Sequence, residues 1–280
     1  MEGLRQAGQS LVLLDTPPER ASPSRTRFWL WPNLLSLDAP LVAVVWQIFF
    51  ARCFGARLDL TLVSLLALSV WIIYVADRVF DALERPCGIP RHQFYARNWR
   101  RIAPFWMVAL ALAAWLALTR LPRVIFTDGI ALLAAIAVYF AVVHCLAPRS
   151  NWHKEFVVAL LFTLGASLTA WRQMRSPTDF AIVVLFGALC WINCAAIEQW
   201  EGRGLDSWPV REASIAVGLI ALVFLYDRRP IVSGAETASA FAFVLLDRAR
   251  RRLSSDALRV LADVALLTPL FFLPIAGIRG

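Results

Sequence analysis

The stretch VWIIYVADRVFDALERP, residues 70–86, begins as an apolar run and ends with three acids before a proline. Asp77, Asp81 and Glu84 follow one another at i, i+4 and i+7, so they share one face of any helix that continues through them. Like charges at this spacing repel unless a cation lies between them. The cation is either Arg85, four residues after Asp81, or a bound Mg²⁺, and the spacing leaves both open.

The composition predicts that this stretch belongs to a membrane protein. Of 280 residues, 59% are hydrophobic and 17% are charged, with a mean hydropathy of +0.62, whereas soluble domains are about 45–50% apolar. Apolar segments close to membrane-spanning length, about 20 residues, recur along the whole chain. We predict an all-α bundle of about nine transmembrane helices, at 39–57, 58–80, 103–121, 125–146, 155–174, 180–197, 212–227, 235–247 and 257–276.

The distribution of basic residues predicts the orientation of the bundle. The 28 Lys and Arg residues are concentrated in the N-terminal segment and in the loops after the even-numbered helices. Basic loops stay on the cytoplasmic side, so we expect a protein of a bacterial-type inner (plasma) membrane with a cytoplasmic N-terminus. Residues 1–27 read as a disordered cytoplasmic tail, and residues 28–280 as the transmembrane domain. The net charge of +8 indicates contact with anionic lipid and not with nucleic acid.

A second acidic group follows the sixth apolar segment, in CWINCAAIEQWEGRGLDSW, residues 190–208. Glu198 and Glu201 are three residues apart and share a helix face, with Asn193 about one turn earlier. Carboxylates are disfavoured at a helix C-terminus, where the macrodipole is negative. Because both acidic groups end an even-numbered helix, we expect them to face one cytoplasmic cavity.

These two motifs resemble those of the UbiA superfamily of intramembrane prenyltransferases. Members of that family have nine transmembrane helices, an N-D-x-x-D-x-x-x-D motif after the second helix and another acidic motif after the sixth. Asp77 and Asp81 match the last two acids of the first motif, but Ile73 and Tyr74 stand where the family has N-D. The second motif, IEQWEGRG, carries glutamates in place of aspartates.

The resemblance implies a function and a set of site residues. It implies a Mg²⁺-dependent enzyme that moves an isoprenoid group from a prenyl diphosphate to a hydrophobic acceptor of unidentified structure. The implied metal ligands, which also form the catalytic site, are Asp77, Asp81, Glu198 and Glu201. The implied diphosphate-binding residues are Lys154, Arg85, Arg91, Arg97 and Asn193.

Other interpretations stay open from the residues alone. Lys154, the single lysine, is also typical of an anchor at the membrane interface, and the loop arginines also fit the positive-inside pattern. A terpene cyclase of the same superfamily is one alternative function. A transporter or scaffold without catalysis is another, although a transporter favours acids at mid-membrane and internal repeats.

Overall fold

The computed structural model describes residues 31–84, 90–143, 154–202, 208–226 and 229–276, with only the backbone at 81–84, 90–93 and 96. The chain divides into two units, Met1–Trp31 and Pro32–Gly280, and the second contains the helical bundle. The predicted tail, residues 1–27, lies outside the described residues.

The described residues form helices joined by short connections, with no strand among them. A helical turn at Trp31–Leu34 precedes the bundle. The helices are α1 Asp38–Phe54, α2 Leu60–Glu84, α3 Pro90–Arg120, α4 Arg123–Ala141, α5 Lys154–Ser167 (continued by a 3-10 turn, Leu168–Gln173), α6 Pro177–Trp200, α7 Val210–Phe224, α8 Pro230–Ala249, α9 Ser255–Ala265 and α10 Pro269–Ala276.

Each of the nine predicted segments coincides with a helix, or with the pair α9 and α10, and the all-α prediction is confirmed for the described residues. Seven stretches are long and apolar enough to cross a membrane. The exceptions are α1, with 17 residues, and α7, with 15, so nine spans remain a prediction. The short eighth segment extends on both sides and becomes the 20-residue helix α8.

Helix ends follow signals in the local sequence. At the start of α6, the Ser176 hydroxyl accepts from the Asp179 backbone N–H while the Asp179 carboxylate accepts from the Ser176 N–H, and Pro177 occupies the first turn. This reciprocal cap satisfies amide groups that a helix start leaves without partners. Gly55 ends α1 in a left-handed conformation, with φ of 75°, which glycine adopts without steric cost.

The core lies around α1, α6 and α8 and is built from aromatic side chains. Trp46 is fully buried and stacks on Phe186 at 4.2 Å between ring centroids. Its indole N–H donates to the carbonyl of Leu266 at 2.7 Å, in the connection between α9 and α10. The buried indole therefore has a partner, and it fixes the break in the last helix against α1.

Helices α3 and α4, in contrast to the buried core helices, expose much of their apolar surface. Phe105 is 71% exposed and Leu118 is 74% exposed. Soluble monomers rarely leave large apolar faces uncovered. This surface agrees with a protein that is embedded in lipid.

Candidate active site

Several helix ends carrying acids meet at one end of the bundle, which we call the acidic end. Asp77 lies near the end of α2, and its Oδ1 is 3.7 Å from Nζ of Lys154, the first residue of α5. Both side chains are about a third exposed, at 31% and 27%. Helix α2 runs on to Glu84, so Asp81 is in the same helix one turn later, but its side chain lies outside the described residues.

Glu198, in the last two turns of α6, meets Glu155 of α5. The two carboxyl groups are in hydrogen-bonding contact with each other. No other N–H or O–H donor of the described residues reaches Glu155 Oε2 or Glu198 Oε2, although both atoms are buried. Two carboxyl groups in contact cannot both stay charged without a shared proton or cation, because like charges repel.

Cys194 lies among the acids of four helices. Its thiol is within electrostatic range of Asp77, Glu155, Glu198 and Asp263, which belong to α2, α5, α6 and α9. Asp77 and Glu198, from the second and sixth predicted spans, are therefore both within electrostatic range of one thiol. The geometry brings in two further acids from α5 and α9.

Glu201 contacts a basic residue. Its carboxylate forms an ion pair with the Arg259 guanidinium of α9, and both side chains are about nine-tenths buried. Arg259 also approaches the Asn33 side-chain oxygen at 3.5 Å. In this structure Glu201 ties α6 to α9, whereas Glu198 faces the other acids.

Asn193 orients a buried carboxyl group. Its amide N–H donates to Asp263 Oδ1 at 3.2 Å, and Asp263 also contacts the carboxyl group of Asp38. A small cavity of about 30 Å³ lies here, lined by Asn193, Asp263, Tyr74 and Cys194 on its polar side. Arg78 Nη2 lies 3.7 Å from Asp38 Oδ2, and Arg78 Nη1 donates to the Asn33 carbonyl at 2.8 Å. The Arg78 guanidinium therefore balances part of the negative charge of Asp38 and Asp263.

The remaining predicted diphosphate ligands are described only in part. Arg97 is exposed in the second turn of α3. Arg85 lies outside the described residues, and so does the side chain of Arg91. The role of these three arginines stays a prediction from the sequence.

A larger cavity, of about 300 Å³, lies between α2, α3, α4 and the α5 helix with its 3-10 turn. Its wall is almost wholly apolar, with Gln47, Ser69 and Thr169 as the polar exceptions. Ile73 lines the cavity, and Asp77 follows one helical turn later, ~6 Å along the axis. Ile73 is the lining residue of α2 nearest in sequence to Asp77, and the other lining residues of α2 lie closer to its start.

No family model, curated protein or solved structure matches the chain. The resemblance to the UbiA superfamily thus rests on the sequence motifs and stays a prediction.

Sequence reasoning missed several residues of the acidic end, namely Asp38, Arg78, Glu155, Arg259 and Asp263. Asp263 had a usable signal, since it is a lone acid within the apolar run VLADVALL and acids inside spans are functional candidates. Glu155 directly follows Lys154, but an acid in the first turn of a helix is common for reasons of the helix dipole alone. Its contact with Glu198 needs the packing of α5 on α6.

Proposed function

We propose that this protein is a Mg²⁺-dependent intramembrane prenyltransferase that moves an isoprenoid group from a prenyl diphosphate to a hydrophobic acceptor. The observation that carries the proposal is the cavity of about 300 Å³ with an apolar wall that ends one helical turn from Asp77. An isoprenoid diphosphate has the same two parts, a long apolar chain and a compact anionic head. The membrane-facing apolar helices agree with a substrate that enters from lipid.

The donors at the acidic end fit Mg²⁺ by type. Glu155 Oε2 and Glu198 Oε2 are buried carboxylate oxygens that no other donor of the described residues reaches, and Mg²⁺ prefers oxygen ligands. Among the side chains described, no three His, Cys, Asp or Glu groups are arranged to hold a metal. Mg²⁺ needs only one or two carboxylates when water and substrate phosphates complete its shell.

The protein groups have separable roles in the proposed reaction. Asp77 and Glu198 would hold Mg²⁺, which when bound neutralises the charge that develops on the leaving diphosphate. Lys154, beside Asp77 at 3.7 Å, supplies a positive charge to the same oxygens. The apolar cavity wall keeps water away from the allylic carbon, so that the acceptor and not water takes the isoprenoid group.

The orientation in the membrane is part of the proposal. The acidic end would face the cytoplasm of a bacterial-type inner membrane, because arginines at 97, 100 and 101 follow the end of α2 and those at 248, 250, 251 and 252 lie at the end of α8. A prenyl diphosphate made in the cytoplasm then reaches the acids directly.

The test is product analysis with purified protein and a radiolabelled prenyl diphosphate in lipid vesicles that contain candidate aromatic and lipid acceptors. We expect Mg²⁺-dependent diphosphate release and a labelled acceptor adduct, both abolished by excess EDTA and restored by added Mg²⁺. A labelled cyclic hydrocarbon or alcohol would indicate a terpene cyclase instead. Absence of diphosphate release with every chain length and acceptor would overturn the enzymatic proposal in favour of a transporter or scaffold.

A further inference from the structure

Another buried acid lies away from the acidic end, in α8. Glu236 has no exposed surface, and no donor of the described residues reaches either of its carboxyl oxygens. A carboxylate in apolar surroundings is strongly disfavoured unless it is paired or neutralised. Glu236 therefore requires a cation of some kind.

Ser233 provides an independent observation at the same place. It precedes Glu236 by three residues, which places both on one face of α8. Ser233 is also fully buried, and its hydroxyl has no hydrogen-bond partner in the described part of the chain. One turn of α8 thus offers three buried oxygen atoms without a partner, two from Glu236 and one from Ser233.

A break in the last predicted span lies against the same part of α8. Helix α9 ends at Ala265 and α10 begins at Pro269. Between them, the Thr268 hydroxyl donates to the Ala235 carbonyl at 2.9 Å and contacts the Ser239 hydroxyl at 2.6 Å. In membrane proteins, interrupted helices frequently accompany ion sites because they free backbone carbonyls and helix ends.

Small residues let α7 approach α8 closely beside this turn. Ala240, one turn after Glu236 on its face, packs on Gly218, where an added methyl group would lie 3.2 Å from the Ala240 Cβ. Ala221, also on α7, is completely buried. Helices α7 and α8 are therefore in close contact one turn after Glu236.

No charged protein group of the described residues takes the place of the cation, because no donor among them, charged or neutral, reaches either Glu236 carboxyl oxygen. The charged residues of α8 and of the helices packed against it lie towards the two ends of the bundle. They are Arg229, Asp247 and Arg248 at the ends of α8, Arg211 and Glu212 of α7, Asp179 and Glu198 of α6, Asp256, Arg259 and Asp263 of α9, and Asp38 and Arg52 of α1.

We propose that Glu236 and Ser233 form a buried binding site for a small monovalent cation, occupied by a proton or by Na⁺. Both ions meet the same need, since each neutralises the carboxyl group and Na⁺ also accepts the Ser233 oxygen as a ligand. Exchangeable cations on intramembrane acids are a device of ion-coupled membrane proteins. The site goes beyond the proposed prenyl transfer and does not depend on it.

The experiment uses the full-length protein in sodium-free detergent buffer, with two readouts. The first is the infrared difference between wild type and Glu236→Gln, which isolates the carbonyl stretch of a protonated Glu236. The second is the thermal midpoint Tm in NaCl against choline chloride at equal ionic strength, because a ligand of the folded state raises Tm. Glu212→Gln, which alters an exposed acid, is the matched control.

The two readouts distinguish the proton from sodium. If the proton is the ligand, the band is present at neutral pH and disappears on raising the pH, with no NaCl effect. If Na⁺ binds, NaCl removes the band and raises Tm in wild type and Glu212→Gln but not in Glu236→Gln. Ser233→Ala then needs about tenfold more NaCl for the same shift, in line with the loss of one ligand-shell partner.

Two results would overturn the site. One is a Glu236 that gives no protonated band at any pH, together with a Tm that NaCl leaves unchanged. The other is a protonated band that neither high pH nor NaCl alters, because such an acid exchanges no cation. Glu236→Gln keeps the shape of the side chain, so its folding is checked by its retention of the wild-type Tm in choline chloride to within a few degrees.

Discussion

Lys154 and Asp77 form an ion pair, with 3.7 Å between Nζ and Oδ1, that joins the start of α5 to the end of α2. The single lysine of the chain is thus placed beside the acid that the sequence motif singles out. Because both side chains keep about a third of their surface, the pair is open to solvent and to an anionic ligand. A diphosphate that arrives with Mg²⁺ can separate the two groups, with the metal taking the carboxylate and the ammonium facing the phosphates.

Replacement of Asp77 by Asn tests the metal role. The variant keeps the shape of the side chain but loses the charge that would hold Mg²⁺, so we expect Mg²⁺-dependent diphosphate release to fall by about 10²–10³-fold. Asp128→Asn is the control, since Asp128 pairs with Arg172 at 3.3 Å on an exposed surface and belongs to neither cavity. Turnover that survives in Asp77→Asn would remove Asp77 from the metal site.

Gly129→Leu tests the apolar cavity as the isoprenoid site. Gly129 lines that cavity, and no atom beyond its chain neighbours and its own helix backbone lies within 4 Å of the position that its Cβ would take, so a side chain there has space to enter the cavity. We expect turnover of long prenyl diphosphates to fall more than turnover of short ones, measured as kcat/KM against chain length. Leu118→Phe on the exposed face of α3 is the control. An equal effect on all chain lengths would contradict this assignment.

Arg229→Met tests an ion pair that ties three helices together. The Arg229 guanidinium donates from Nε to Asp179 Oδ1 at 3.0 Å and also to the Cys53 carbonyl. Asp179 is 5% exposed, so removal of the arginine leaves a buried charge, at a cost of about 3–5 kcal/mol in the free energy of unfolding.

Asp179 keeps two hydrogen bonds in Arg229→Met, because the backbone N–H groups of Arg175 and Ser176 still donate to it. These bonds reduce the loss of stability. The expected loss is therefore at the lower end of that range, measured as a fall in Tm. Arg211→Met is the control, because its pair with Glu212 is half exposed and exposed ion pairs add little to stability. Equal Tm values for the two variants would show that the Arg229 pair adds no stability.

Tyr95→Phe tests how residues 32–37 are attached to α3. The Tyr95 hydroxyl is 2.8 Å from the Ser36 hydroxyl, and its loss should cost about 1 kcal/mol at neutral pH. Burial raises the pKa of Tyr95 above its ordinary value, an effect that the Ser36 hydrogen bond and the Arg78 charge oppose. The Tyr95 hydroxyl therefore loses its proton at lower pH in the unfolded chain than in the folded protein.

Stability should consequently fall as the pH rises past about 10, the ordinary pKa of tyrosine. Tyr95→Phe should show a smaller loss of Tm between neutral and strongly alkaline pH than wild type. Tyr226→Phe serves as the control because Tyr226 is 98% exposed. Parallel alkaline profiles for wild type and Tyr95→Phe would exclude Tyr95 as the titrating group.

The sequence predicted the helices well because their cause is local. A long apolar run in a membrane has to satisfy its own backbone hydrogen bonds, and the helix is the structure that does so. The expectation that α2 continues through Asp77 and Asp81 is confirmed, since the helix ends at Glu84. Helix bounds were predicted less accurately where caps decide them: α6 starts at Pro177, three residues before the predicted segment.

Sequence patterns did not predict which side chains of different helices contact each other. The acids of the second and sixth predicted spans were expected to meet, yet the contact partner of Glu198 is Glu155, and Glu201 pairs with Arg259. These pairs are 43 and 58 residues apart in the chain numbering, and which side of each helix faces which neighbour depends on packing of the whole bundle.

The amino-acid order by itself determined a helical, lipid-embedded chain with acids at the ends of two apolar runs, since hydropathy and spacing act over a few residues. Only the tertiary structure decided that acids from α2, α5, α6 and α9 lie within electrostatic range of Cys194, that α2 lines an apolar cavity as far as Ile73, and that Glu236 is buried with no partner among the described residues. These properties arise from distances between separate helices. Such distances are set by the fit of side chains such as Trp46 and Phe186 across the core, and no local pattern encodes them.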